Sequence, residues 1–283
     1  MGSAKQIVHL CLGSLRRWGT SPRHYVIGAL GAMWIHALVS PVLRFSQTVD
    51  VRVTPWVFPF ALGRWDYVML TMLAVVLLFC DAPFVNNGTP YECIRAGRRR
   101  WVVAQLTYVG VASLLFVCFL VLVSILCLLP HMDFADDWGR VLNTLAQTSA
   151  GAKYGGMPIS YAVMFKYSPA AALGLAALIL YMQSVLVGVV MFTLNMIATR
   201  GAGVVAGLSL AFMPGVADLV VVHPVYYFMP TAWANLTVLD TSGASGHPSL
   251  AYAVGMLAGL IAVVTAVALL VHRRKEIEVL MPV

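Results

Sequence analysis

Charge is scarce in this sequence. Lys, Arg, Asp and Glu together make up 10% of 283 residues and 60% are hydrophobic, where soluble domains carry about 25% charge. A chain this poor in charge cannot clothe a water-facing surface, which excludes an ordinary soluble enzyme and places it among membrane proteins. Signature stretches are missing too. There is no GxxxxGK[ST] to cradle phosphate, no HExxH to hold a catalytic zinc and no GxSxG to present a nucleophile. No catalytic residue, metal ligand or cofactor site is therefore expected on this chain. Cysteines number five, Cys11, Cys80, Cys93, Cys118 and Cys127. None pairs at zinc-ligand spacing, and none falls in a segment expected outside the membrane, so no structural disulfide is expected.

Long apolar runs are what the sequence does have. A span needs about 20 mostly apolar residues to cross a hydrocarbon core roughly 30 Å thick. Six runs qualify, at about 25–45, 66–85, 102–129, 170–198, 203–222 and 249–271. The reading is an all-α polytopic membrane protein with six transmembrane helices in a single domain, 1–283. The first run starts late and runs long for a removable signal peptide, and no small-residue cleavage site follows it, so it is expected to remain.

Basic residues set the orientation. With both termini in the cytoplasm, Lys5, Arg16, Arg17, Arg23, Arg95, Arg98, Arg99, Arg100, Arg200, Arg273, Arg274 and Lys275 lie inside. Arg44, Arg52, Arg64, Arg140, Lys153 and Lys166 lie outside. Twelve against six follows the positive-inside rule, and the net +7 resolves into +8 inside and −1 outside. Attraction to anionic membrane lipid accounts for such clusters. Nucleic acid does not, because no soluble surface interleaves basic and aromatic residues.

Residues 1–24 read as an interfacial helix and turn. Ile7, Cys11, Leu15 and Trp18 recur at helical spacing, with Arg16 and Arg17 within reach of headgroups. Outside, residues 130–169 contain "DDWGRVLNTLAQ", which puts Trp138, Val141, Leu142 and Leu145 on one face of a short, lid-like surface helix. After span five, "HPVYYFMPTAWANL" holds two prolines and four aromatics. That composition predicts an outer re-entrant or interfacial element, tolerated at membrane depth only where protein or water covers it.

Polar residues inside the runs are few: His36, Gln183, Asn195, Asp218 and His223. An intramembrane ionisable group is costly and often functional. His36, Gln183 and Asp218 are candidates for contact with a transported cargo or for packing between helices. Gly203 and Gly207, like Gly255 and Gly259, stand at GxxxG spacing and suit either packing within the chain or a seam between two chains.

The segment "DAPFVNNGTPYECIRAGRRRWVVAQLTYV", residues 81–109, joins spans two and three. A positive-inside loop explains its arginines but not its other residues. Thr89 is placed to cap a helix with Pro90 at the first position, and Glu92 completes a T-x-x-E capping box. Residues 89–101 therefore read as a folded helix. Arg95, Arg98 and Arg99 project from it towards phospholipid or an acidic partner, and Trp101 anchors its junction with span three.

That arrangement, a span ending in "DAPF", the turn "NNGTPY", the helix "ECIRAGRRRW" and the next span, resembles the six-span permeases of ABC exporters, the type-2 permease family. The likeness extends to "SLRRWGTSPRHY" before span one, "YYFMPTAWANL" before span six and the basic tail "HRRKEIEVL". The resemblance implies a subunit of the bacterial cell membrane with a cytoplasmic coupling helix between spans two and three. Thr89, Glu92, Arg95, Arg98, Arg99 and Trp101 would seat that helix in a cleft of a separate ABC ATP-binding subunit. ATP and Mg would be bound there, not on this chain. A second permease, identical or homologous, completes the implied assembly. The implied cargo is hydrophobic or amphipathic: a peptide, as in antimicrobial-peptide immunity, a drug-like molecule or a lipid. The alternative is a non-transporting membrane sensor or scaffold that docks a soluble partner through residues 86–101.

Overall fold

The computed structural model describes residues 3–84, 94, 96–154, 157–198, 200–220, 223–240 and 246–271, and regular structure among them is wholly helical. An amphipathic helix α1 (Ser3–Arg16) runs through a 3-10 turn, Arg17–Thr20, into α2 (Pro22–Val49). A one-turn helix α3 (Phe58–Ala61) precedes α4 (Trp65–Phe79), and α5 (Arg98–Leu128) returns. Three short helices follow, α6 (Gly139–Gln147), α7 (Ala150–Tyr154) and α8 (Tyr161–Lys166). Then come α9 (Pro169–Ile197), α10 (Arg200–Val220), three 3-10 turns between His223 and Val238, and α11 (Leu250–Val271).

Five helices, α2, α5, α9, α10 and α11, are long and apolar enough to cross a membrane. The remaining apolar run gives only the 15 residues of α4, about 22 Å of helix. The sequence reading carried this element to residue 85; the helix stops at Phe79. Pro83 lacks an N–H and disfavours helical backbone at residue 82. The chain turns instead, with Ala82 N–H donating to Phe79 O at 2.9 Å and Phe84 N–H to Asp81 O at 2.7 Å. At the other end of α4, Asp66 in the first turn suits the positive end of the helix.

The bundle has two ends. One carries α1 and the arginines of residues 98–100, and Ala268 near the end of α11 packs there against Trp101 and Ala82. At the opposite, far end, Val53 pairs with Met132 and Trp138 with residues 164 and 167. In the middle stands α9, which packs on α10, α11, α5 and α4. Its best spanning window is 61% buried against 11% for α11, which leans on the outside of the bundle. The close approach of α4, α5 and α9 needs Gly188: a Cβ there would sit 2.6 Å from Val109 and 2.8 Å from Phe79. Such small-residue contacts matter in lipid, where the hydrophobic effect does little to bring helices together.

The two GxxxG pairs part company. Gly203 and Gly207 face α9, where added Cβ atoms would strike the Met191 carbonyl oxygen and side chain. Nothing lies within 4 Å of the Cβ positions of Gly255 and Gly259. The first pair packs within the chain, and the second faces outward.

Two long helices contain a proline, and each freed carbonyl gains a hydroxyl donor. Pro41 in α2 cannot donate to Ala37 O, and Ser40 Oγ lies 3.3 Å from that oxygen. Pro214 in α10 cannot donate to Leu210 O; Thr231 Oγ1 donates to it at 2.7 Å from the turn Pro230–Ala234. All five residues of that turn are buried. Side chains satisfy its Pro230 carbonyl and the freed Leu210 carbonyl, as burial of irregular structure requires. Gln183 Nε2 donates to Pro230 O at 2.9 Å, and Trp233 Nε1 donates to Tyr226 O at 2.6 Å. The segment before the last long helix is thus a chain of three 3-10 turns, the middle one buried throughout and the first carrying an exposed Phe228.

The far end is closed by the other short elements. Trp138, Val141, Leu142 and Leu145 are all buried, as the periodicity of α6 requires. Gly139 begins the helix at φ +69, where a Cβ would strike Thr54 at 2.8 Å. Trp138 Nε1 donates to Met164 O at 3.1 Å, so α6 is built into the cap.

Candidate functional site

At the arginine-rich end, a cavity of about 440 Å³ lies between the turn after α4, the start of α2 and the flank of α5. Arg23, one residue into α2, pairs with Asp81 Oδ2 at 2.5 Å and donates to Cys80 Sγ at 2.8 Å. Asp81 is 66% exposed, which limits such a pair to about 0–1 kcal/mol of stability. Its consequence is positional: it ties the beginning of α2 to the turn that follows α4. Trp18 Nε1 donates to Tyr108 OH at 2.9 Å and fixes the 3-10 turn on α5. The Trp18 ring also stacks on His24 at 4.9 Å.

A second tie is buried. Asn195, near the end of α9, donates from Nδ2 to Ala82 O at 2.8 Å and accepts from Gly203 N–H on Oδ1 at 2.7 Å. One amide thus joins α9, the turn after α4 and the first turn of α10. Trp101 is 1% exposed and packs with Ala82, Val102, Phe192 and Ala268. Six elements, α2, the turn after α4, α5, α9, α10 and α11, therefore meet around Ala82 and Trp101.

No family model, curated protein or solved structure matches the chain.

Thr89, Glu92 and Arg95 lie outside the described residues, and the capping box with them. The expected helix over 89–101 does not run through to Trp101. Gly97, at φ +83, breaks the backbone, and Arg98–Trp101 form the first turn of α5. Arg98, Arg99 and Arg100 are exposed there. They occupy the positive end of the helix dipole, where a cation is disfavoured by about 0.3–1 kcal/mol. Helix stability therefore gives no account of three consecutive arginines. Arg100 bonds to Gln6 Oε1 of α1 at 3.2 Å and to Ala96 O at 3.3 Å.

Of the polar residues inside the apolar runs, Gln183 is fully buried and serves packing through its bond to Pro230. His36 is exposed on the outer face of α2. Asp218 is exposed near the end of α10 and lines a second cavity, of about 310 Å³, at the far end. Arg64 and Asp66 line it as well and form a two-pronged pair at 3.0 and 2.7 Å, which holds the Arg64 guanidinium above its ordinary pKa. Burial and the Asp218 charge push the Tyr226 phenol up in turn. The wall is completed by Trp65, whose ring lies over Gly215 at a spacing, 3.2 Å from a notional Cβ, that a side chain there would crowd. Asn235 Nδ2 donates to Gly63 O at 3.0 Å and its Oδ1 accepts from Thr237.

Sequence reasoning missed Arg23, Asp81, Tyr108 and the Arg64–Asp66 wall. Arg23 and Asp81 are 58 residues apart with no spacing to link them; their one signal is that each flanks an apolar run on the same side. Among the described residues no group of His, Cys, Asp or Glu is arranged to hold a metal ion.

Proposed function

We propose that this chain is the membrane-spanning permease subunit of an ABC-type exporter, crossing the membrane six times with both termini cytoplasmic. The observation that carries this reading is the junction at the arginine-rich end. A surface loop that served only as a topology signal would need nothing but charge. Here both roots of the loop 85–97 are locked to the ends of α2, α4, α5, α9 and α10 through Arg23–Asp81, Asn195 and Trp101. A loop held this way passes a displacement to every helix it touches, as a coupling element between a soluble motor and a transport pathway must. Exposed Arg98 and Arg99, placed against the helix dipole, supply the docking charge. The short α4 completes the sixth crossing together with the segment 53–62, whose backbone is covered by protein, and the turn 80–84. ATP and Mg belong to a separate ATP-binding subunit, and a second permease chain, with membrane lipid, completes the assembly. The cargo is hydrophobic or amphipathic and moves outward.

Affinity purification of the tagged chain from its native membrane tests this. The expected result is co-purification of a soluble ATPase at one-to-one stoichiometry. The double substitution Arg98→Glu, Arg99→Glu should remove the ATPase while leaving the chain folded in the membrane. A chain that purifies with no ATPase, or with one whose association ignores the two arginines, refutes the reading.

A further inference from the structure

The far-end cavity combines features that the export reading does not use. It is lined by one arginine and two aspartates, and the arginine is already committed. Both prongs of Arg64 are taken by Asp66, at 3.0 and 2.7 Å. Charge on the wall therefore sums to −1, and it resides on Asp218. That carboxylate is exposed and has no ion pair among the described side chains. Other polar groups do not favour an anion: the Asn235 amide is bound to Gly63 O and Thr237. What remains is aromatic and apolar, namely the rings of Trp65 and Tyr226 with Pro214 and Val68. A lone carboxylate beside two electron-rich rings, in a recess of about 310 Å³, is the chemistry that recognises an organic cation.

We propose that this cavity binds the cationic group of an organic ligand, an ammonium or a guanidinium carried on an apolar body. Asp218 supplies the countercharge and Trp65 and Tyr226 the aromatic wall. The proposal rests on the export reading only in identifying that ligand with the cargo, which becomes a cationic amphiphile rather than a neutral lipid. In that assembly the site lies at the outer end of the pathway. The cavity is built by three separate parts of the chain. The start of α4 gives Arg64–Val68, α10 gives Pro214 and Asp218, and the irregular segment after α10 gives Tyr226 and Asn235. Gly215 lets the Trp65 ring lie close to α10, and Pro214 is held by the Thr231 bond one turn back. Two short devices thus shape a wall that neither helix would form alone.

The test is calorimetric titration of the purified full-length chain in lipid nanodiscs, with empty nanodiscs subtracted. Benzyltrimethylammonium is the probe, and neopentylbenzene, its neutral carbon isostere, is the control. Saturable binding of the cation at one site per chain is expected, with none of the isostere. Asp218→Asn should weaken binding about tenfold, the scale of one carboxylate–ammonium attraction at a partly solvated site. Asp218→Glu should restore most of it, and Trp65→Leu should weaken it about threefold. Thermal unfolding of Asp218→Asn should match the parent, since this exposed side chain holds no element in place. Equal binding of both probes, no binding, or unchanged affinity in Asp218→Asn overturns the proposal. None of these outcomes depends on an ATPase. Loss of the cation site with ATPase association intact refutes this inference alone, and the converse refutes only the export reading.

Discussion

Replacing Thr231 with Val isolates the bond between the irregular segment and α10. The swap conserves shape, so no cavity opens, and it removes one hydroxyl from a side chain that is fully buried. That hydroxyl donates at 2.7 Å to Leu210 O, an oxygen whose regular helical donor would be residue 214, which is proline. Thr231→Val therefore deprives a carbonyl of the donor that replaces its helical one. In soluble proteins, leaving such a group unsatisfied costs about 1–3 kcal/mol. Membrane-embedded bonds measure lower, about 0.6 on average and about 1.7 at most. A loss of about 1–2 kcal/mol is expected, or an apparent Tm lower by about 2–8 °C for a chain of this size. The decisive measurement is the double-mutant cycle with Pro214→Ala. Alanine restores the N–H of residue 214, so Leu210 O regains its helical donor and Thr231→Val should then cost about 1 kcal/mol less. Ser209→Ala is the control: its hydroxyl donates at 2.9 Å to Val205 O within a regular turn, and its loss should cost less than about 0.5 kcal/mol. If Thr231→Val costs the same in both backgrounds, or nothing in either, the account of Pro214 and Thr231 is wrong.

Gly203→Ala should destabilise the chain by about 2 kcal/mol or more, because the new methyl meets the backbone oxygen of Met191, whereas Gly255→Ala, in open space, should be neutral or stabilise α11 by up to about 1 kcal/mol. Thermal unfolding of the two variants side by side checks this, and equal effects would mean that Gly203 does not face α9. A single cysteine introduced at exposed Ser149, in a chain freed of its native cysteines, should react with a membrane-impermeant maleimide on intact cells; reaction only after lysis would invert the orientation.

The helices of spanning length were legible because lipid demands long apolar runs, and α2, α5, α9, α10 and α11 each begin or end within a few residues of the expected limits. The face of α6 was legible for a similar reason, since Trp138, Val141, Leu142 and Leu145 recur with the helical period. The end of α4 was not. Hydropathy continues through "FCDAPF", and only the backbone restriction before Pro83 stops the helix at Phe79. The break at Gly97 was hidden in the same way, because a glycine inside "IRAGRRRW" reads equally as a tolerated helical residue or as a turn. Of the candidate site, Asp218 was visible as a lone carboxylate in an apolar run. Its surroundings were not: Trp65, Tyr226 and Asn235 come from distant segments, and which of them share a wall is decided by the folding of irregular chain, which carries no period. Gln183 and Asn195 looked alike in the sequence as amides buried in one helix. Structure separates them, one satisfying the turn at Pro230 and the other joining three elements at the opposite end.

The distribution of prolines makes the bundle mechanically uneven. α5 runs 31 residues with no proline, and α9 carries one only at its first position. Both have an unbroken ladder of backbone bonds available and behave as struts. α2 and α10 each carry an internal proline, where the ladder is interrupted and a single hydroxyl stands in for the missing donor. Both interrupted helices pack against α4. Compliance is therefore gathered in two of the three long helices that pack on α4, while α9, the third, stays stiff with α5. A push at the arginine-rich end would bend α2 and α10 and merely carry α5 and α9 along.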